Sequence, residues 1–233
     1  MIGVWANALA IVLGGLIGTA LRGGIREKYS QTINAGLAIC VMMIGVSGAI
    51  KTSDVLILIV SIVVGSFLGE LARIEDGINA AGQWAQRHLA KGTDGFAAGF
   101  VSATLVFCVG AMAIVGSMEA GLSNKPDTLL AKAALDGVAS VIFASTMGIG
   151  VAFSAVPILI YEGGLALLAG VLEPLLTEAL VAEISAVGSM LIFAIGLNML
   201  GVTRERIRVG NMVPAVLIPC VYLPAAQLLS KLF

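Results

Sequence analysis

Apolar residues run through this chain in long, nearly unbroken stretches separated by short polar or charged segments. Eight stretches approach the ~20 residues that a helix needs to cross a hydrocarbon core. They are Ile2–Leu21, Ile33–Ile50, Val55–Leu71, Phe96–Met118, Thr128–Gly150, Ala155–Leu172, Ile184–Val202 and Val209–Leu229. The third is short, and the fifth begins on polar residues. Because the apolar residues are continuous rather than alternating over ~10-residue segments, a transmembrane β-barrel is ruled out. The pattern predicts an all-α, polytopic membrane helix bundle of about eight transmembrane helices, forming one domain over residues 1–233. Within it, residues 74–95 are the longest polar segment, and Ile78, Ala81, Trp84 and Leu89 share one helical face. Two readings fit: a cytoplasmic amphipathic helix lying in the interface and anchored by Trp84, or a solvated linker helix. The first apolar run lacks a basic leader and ends in Arg22, so it reads as a retained span and not a cleaved signal.

Composition agrees. Hydrophobic residues make up 59% of the chain and charged residues 12%, and the mean hydropathy is +1.05. A soluble domain runs near ~45–50% apolar and ~25% charged. The formal net charge of −1 offers no basic excess to neutralise phosphates, so no nucleic-acid partner is expected. Cys40, Cys108 and Cys220 lie in apolar runs without metal-ligand spacing, and His88 is the one histidine. Neither a disulfide framework nor a His-based metal site is expected, and no cofactor is implied. The 29 glycines suit helices packed at close range.

Lysine and arginine placement sets the expected orientation. Under the eight-span count, Arg22, Arg26, Lys28, Arg73, Arg87, Lys91, Arg204, Arg206 and Arg208 share one side, while Lys51, Lys125 and Lys231 lie on the other. Lys132 stays inside a span. The basic side is expected in the cytoplasm, with both termini outside a bacterial inner membrane. The sixth-to-seventh connection, with Glu173, Glu178 and Glu183, carries no base.

An echo links the first two spans to the sixth and seventh. Gly14-Gly15-Leu16 matches Gly163-Gly164-Leu165, with Ile11 on Ile160 and Ala20 on Ala169. After a two-residue slip, Ile33 falls on Ile184, Ala35 on Ala186, Ile44 on Ile195 and Gly45 on Gly196. These copies would be inverted, as in many secondary transporters; chance alignment of Gly- and Ile-rich helices is the alternative. Spans two and four show a further echo in Leu37, Cys40, Val41 and Gly48 against Leu105, Cys108, Val109 and Gly116.

Ionisable groups inside a span are costly and mark functional sites by default. Asp136 lies about two turns into the fifth span, with Lys132 four residues earlier on the same face. The pair is either a self-neutralising structural unit or a cation or proton site with Lys132 as counter-ion. Glu162 stands beside Gly163-Gly164, where unwound backbone could help coordinate a cation; a glutamate reaching headgroups is the other reading. Asn198 and Asn7 are ligand candidates or helix-bridging amides. The uncharged turn from Phe143 to Pro157 contains Ser145, Thr146 and Ser154 beside Gly148 and Gly150. It reads as a broken segment lining a cavity or as a tight interfacial hairpin. No nucleotide loop or catalytic triad is present, and no enzyme is expected.

The stretch Val101-Ser102-Ala103-Thr104-Leu105-Val106-Phe107-Cys108-Val109-Gly110-Ala111-Met112-Ala113-Ile114-Val115-Gly116-Ser117 resembles the signature of a bacterial inner-membrane family catalogued as domain of unknown function 554. The opening Gly3-Val4-Trp5-Ala6-Asn7-Ala8, the Lys132–Gly137 run, Phe143-Ala144-Ser145-Thr146 and Phe153-Ser154-Ala155 are similar to it as well, so the resemblance spans essentially the whole chain. Lys132 and Asp136 fall on positions of the family pattern. The resemblance implies a polytopic bacterial membrane protein associated with transport of an unspecified substrate, and it assigns no catalytic residues. The leading expectation is a secondary transporter or permease of a small solute or ion, cation- or proton-coupled. The alternatives are a passive channel and a structural or accessory membrane subunit. The expected partners are the lipid bilayer and that small solute or ion, and assembly into a homo-oligomer is left open.

Overall fold

The structure is a computed structural model that describes residues 1–22, 27–89, 95–108 and 110–230, and every regular element among them is helical. Helices α1 (Ile2–Arg22), α2 (Glu27–Ala49) and α3 (Val55–Ala72) come first. Asp54 caps α3 by accepting from Leu56 N at 2.9 Å. Arg73 adopts a left-handed conformation with φ of 51° and turns the chain at once into α4 (Ile74–Leu89). The fourth expected span is broken into α5 (Phe96–Cys108) and α6 (Ala111–Leu122), between which Gly110 takes a φ of 141°. Only glycine reaches that conformation without strain. Next come α7 (Asp127–Met147), the single turn α8 (Gly150–Phe153), α9 (Ala155–Leu167), α10 (Ala169–Leu172) and α11 (Glu178–Leu200). The chain then passes through α12 (Val209–Met212), a 3-10 turn (Val213–Leu217) and α13 (Pro219–Ser230).

Among the described residues, six helical stretches are long and apolar enough to span a membrane, or seven if the bent α5–α6 pair counts as one. The difference from the expected eight lies at 209–229. There Pro214, Pro219 and Pro224 each remove a backbone donor, and the segment is broken where one continuous helix was expected. It still runs alongside α3, with Asn211 against Gly69 and Ala215 against Gly65. Further along, Leu223 packs against the cluster formed by Ile114, Leu180, Val181 and Ile184. The polar 74–95 segment does form a helix, α4; the side chains of Trp84, Arg87 and His88, and residue Lys91, lie outside the described residues. So do Arg26, the Lys28 side chain and Lys231.

The core gathers Ile11, Val41, Phe107, Phe143, Ile158, Leu191 and Ile195 from six helices. Outside it, Leu13, Ile17, Ile59, Phe67 and Leu71 are exposed, with Leu71 at 75%. An apolar coat of this extent marks a surface that does not face water, and lipid is the solvent that suits it. Glycines bring the helices to backbone contact. A methyl at Gly14 would collide with the Gly137 carbonyl and one at Gly18 with the Val141 carbonyl, which locks α1 on α7. The α2–α11 crossing is built the same way from Gly45 and Gly196.

Candidate functional site

Close packing of α1 on α7 and on α9 brings four polar side chains from three helices into the interior. Asn7 and Glu162 are fully buried, and Lys132 and Asp136 are 5% and 8% exposed. Lys132 Nζ donates to Asp136 Oδ2 across one turn of α7. The same ammonium stands 3.4 Å from Glu162 Oε1, and Asn7 Nδ2 donates to that oxygen at 2.7 Å. One cation therefore serves two carboxylates. Two polar atoms in the cluster, Glu162 Oε2 and Asn7 Oδ1, have no hydrogen-bond partner. Most buried polar atoms are bonded, so this pair marks a place for a proton, an ion or a water. Ser140, one turn beyond Asp136, also has an unpartnered hydroxyl.

Of the residues singled out from the sequence, the structure thus joins Lys132, Asp136, Glu162 and Asn7. The others lie outside that cluster, with Thr146 and Asn198 on the wall of one separate cavity. Asn198 forms a two-way latch with the backbone of Ile207, donating to its carbonyl at 2.8 Å and accepting from its N–H at 2.9 Å. Ser145 and Thr146 donate to the carbonyls of Ile142 and Phe143 on their own helix, a local bond that short hydroxyl side chains readily make. The helix continues through Gly163 and Gly164, with Leu168 N bonded to the Gly164 carbonyl at 2.9 Å. The expected unwinding beside Glu162 is absent, because nothing pulls those carbonyls away from the helical ladder. The 143–157 turn is tight: Gly148, at φ of 84°, joins α7 to α8, and a methyl on Gly150 would strike the Phe96 carbonyl.

A cavity of about 660 Å³ opens at one end of the bundle, lined among others by Arg22, Asn34, Glu75, Asn79, Asn198 and Arg206. The last residue of α1, the start of α4 and the connection after α11 therefore meet at one end. None of the four cluster residues lines the cavity, but Ser102 and Leu105 of α5 do. One turn further along α5, Cys108 lies within electrostatic reach of Lys132, Glu162 and Asp136. Thus α5 borders the polar cavity and packs against α7 and α9, the helices that carry the charged residues of the cluster.

Two polar sets were not legible in the sequence. Asn211 donates to Glu70 Oε2 at 2.6 Å and accepts from Glu75 N at 2.7 Å, while Glu75 Oε2 accepts from Gly210 N at 3.1 Å. This network ties the α3–α4 corner to α12. Glu183, expected in a loop, is 1% exposed inside α11. It accepts from Ser53 N at 2.7 Å, Ser53 Oγ at 2.6 Å and Thr52 Oγ1 at 2.6 Å, closing the α2–α3 turn.

Fold and site together define a polytopic, all-helical membrane protein with a charged cluster buried among its spans. The chain matches the family described as "Protein of unknown function (DUF554)" over residues 2–223 and belongs to that family. It is 32% identical over 223 residues to Uncharacterized protein YqgA of Escherichia coli (strain K12). It is 30% identical over 224 residues to Uncharacterized membrane protein YdfK of Bacillus subtilis (strain 168). Each match covers 94% of this chain and 94% of the relative. No solved structure matches.

Proposed function

We propose that this protein is a secondary transporter or permease of a small solute or ion, with cation or proton coupling at the Asn7–Lys132–Asp136–Glu162 cluster. The carrying observation is the imbalance of two buried carboxylates against one ammonium, together with the unpartnered Glu162 Oε2 and Asn7 Oδ1. A purely structural pair would need only Lys132 and Asp136. Intramembrane ionisable residues of this kind mark ion and substrate pathways, and α5, which lines the cavity at Ser102 and Leu105, packs against the α7 and α9 helices that carry the cluster.

The α2–α11 crossing supports an inverted repeat. The offset that places Ile44 on Ile195 and Gly45 on Gly196 also places Met42 on Phe193. Gly45 packs against Phe193, and Gly196 packs against Met42. Exchanging the two copies turns one contact into the other, as a pseudo-twofold axis in the membrane plane requires. A helical bundle of this kind fits the bacterial cytoplasmic membrane, since outer membranes are spanned by β-barrels. The basic end then faces the cytoplasm.

The test is thermal stabilisation of the purified protein across inorganic ions and small metabolites. A ligand at ~100 times its Kd adds about 2.7 kcal/mol of apparent stability. A specific stabiliser whose effect disappears in Glu162→Gln supports the reading. Equal stabilisation of that variant, or none of the wild type by any probe, refutes it.

A further inference from the structure

Asn7 and Glu162 each present a planar group with two polar edges. One edge of each is joined, Nδ2–H to Oε1 at 2.7 Å. The other edges, Oδ1 and Oε2, are the two atoms left without a partner. An ionised carboxylate offers only acceptors, and so does an amide oxygen; neither can satisfy the other. A protonated carboxylic acid and a primary amide, by contrast, are complementary along both edges, with N–H to oxygen on one and O–H to oxygen on the other. A single proton on Oε2 turns it into a donor, the complement that the unpartnered amide oxygen of Asn7 calls for.

We propose that Glu162 is a proton-binding site, holding its proton on Oε2 with Asn7 as the residue that recognises the protonated form. This rests on the transport reading above and names its coupling ion. The step is proton transfer alone: an O–H bond of hydronium breaks, leaving water, and an O–H bond to Oε2 forms. Charge agrees with it. Lys132 and Asp136 cancel, so a proton on Glu162 leaves the cluster neutral, and release leaves one negative charge for Lys132 to share between two carboxylates.

A metal cation suits the place poorly. Hard cations gather about six or more oxygens, whereas Oε1 already faces an ammonium at 3.4 Å. Among the described residues no group of three or more His, Cys, Asp or Glu could hold a metal. The charged or titratable groups facing Glu162 are Lys132 and Asp136 on α7, Cys108 on α5 and the adjacent Tyr161. From α1 it meets the neutral Asn7. On α6, Glu119 accepts a bond from Thr128.

Infrared difference spectra of the full-length protein in lipid nanodiscs, taken across a pH series, read the proton directly. The expected result is a carboxylic-acid C=O band that titrates in the wild type and is lost in Glu162→Gln. In Asp136→Asn the band should still titrate but at lower pH, because Lys132 then has Glu162 as its remaining carboxylate in the cluster. In Asn7→Leu it should move to higher frequency, because the amide N–H no longer bonds the carbonyl. Glu162→Gln keeps the shape of the neutral acid, and a melting curve verifies its fold. Absence of the band in the wild type, or its survival in Glu162→Gln, overturns the proposal. Sodium or magnesium chloride binding at fixed pH through Glu162 without such a band also overturns it, yet leaves the transport reading standing. A Glu162 proton band in a protein that no solute stabilises does the reverse.

Discussion

Removing the two partners of the Lys132–Asp136 ion pair should have unequal consequences, because only one of them has a substitute. In Lys132→Met, Asp136 keeps its charge in the protein interior with no cation to face. Breaking a buried pair from one side destabilises by about 3–5 kcal/mol, which for a chain of this size lowers the melting temperature by on the order of 10 °C. In Asp136→Asn, the ammonium is left 3.4 Å from Glu162 Oε1. Glu162 can then release its proton and take over as the partner. The lost charged hydrogen bond is worth about 1.5–3 kcal/mol, and tightening onto Glu162 returns part of it, for a net loss of about 1 kcal/mol. Taking away the substitute restores the full penalty, so the Asp136→Asn/Glu162→Gln double variant should fall to the level of Lys132→Met. Adding Lys132→Met to that double variant, which empties the cluster of charge, should recover most of the stability. Thermal unfolding of the four variants in one detergent at one pH measures the series. Equal damage from Lys132→Met and Asp136→Asn, or an Asp136→Asn/Glu162→Gln variant as stable as Asp136→Asn alone, would refute the shared-lysine geometry.

Glycine substitutions should separate contact from open surface. Gly14→Val meets the Gly137 carbonyl and should destabilise by about 1–3 kcal/mol, whereas Gly164, with nothing within 4 Å, should accept Ala with a gain of about 0.5–1 kcal/mol; melting temperatures read both. Glu183→Ala removes the acceptor for Thr52 and Ser53 and should lower stability by about 2 kcal/mol, with faster amide exchange confined to the α2–α3 turn. Single cysteines at Asn79 and Arg206, placed in a chain whose own cysteines are replaced, should react with an impermeant thiol reagent from the same side, since both residues line one cavity. Labelling from opposite sides would contradict the shared end.

The spans were legible because length and hydropathy alone decide whether a helix can cross a bilayer. The fourth was not seen as broken, since Gly110 sits in an otherwise uninterrupted apolar run, and only its φ of 141° reveals the break. The last expected span was read through its three prolines, each of which interrupts the helical ladder. Lys132 and Asp136 announced themselves by spacing on one helix. The link from them to Asn7 and Glu162 depends on how α1 packs on α7 at Gly14 and Gly18 and on α9, where Gly163 meets Val4, which no local pattern encodes. Asn198 looked equally buried along the sequence, but it sits near the end of α11, where a loop carbonyl and N–H are within reach. Glu183 looked like a loop charge because its partners, Thr52 and Ser53, are remote in sequence and neutral.

The most direct measurement of the central claim is solute accumulation in proteoliposomes under an imposed pH gradient. Vesicles carrying the wild-type protein or Glu162→Gln would be incubated with a defined mixture of small metabolites, and their contents read by mass spectrometry. The account predicts that at least one solute accumulates with the wild type, that collapsing the gradient abolishes this, and that Glu162→Gln, though folded, does not accumulate it. Equal accumulation with Glu162→Gln, or no gradient-dependent solute with the wild type, would contradict it.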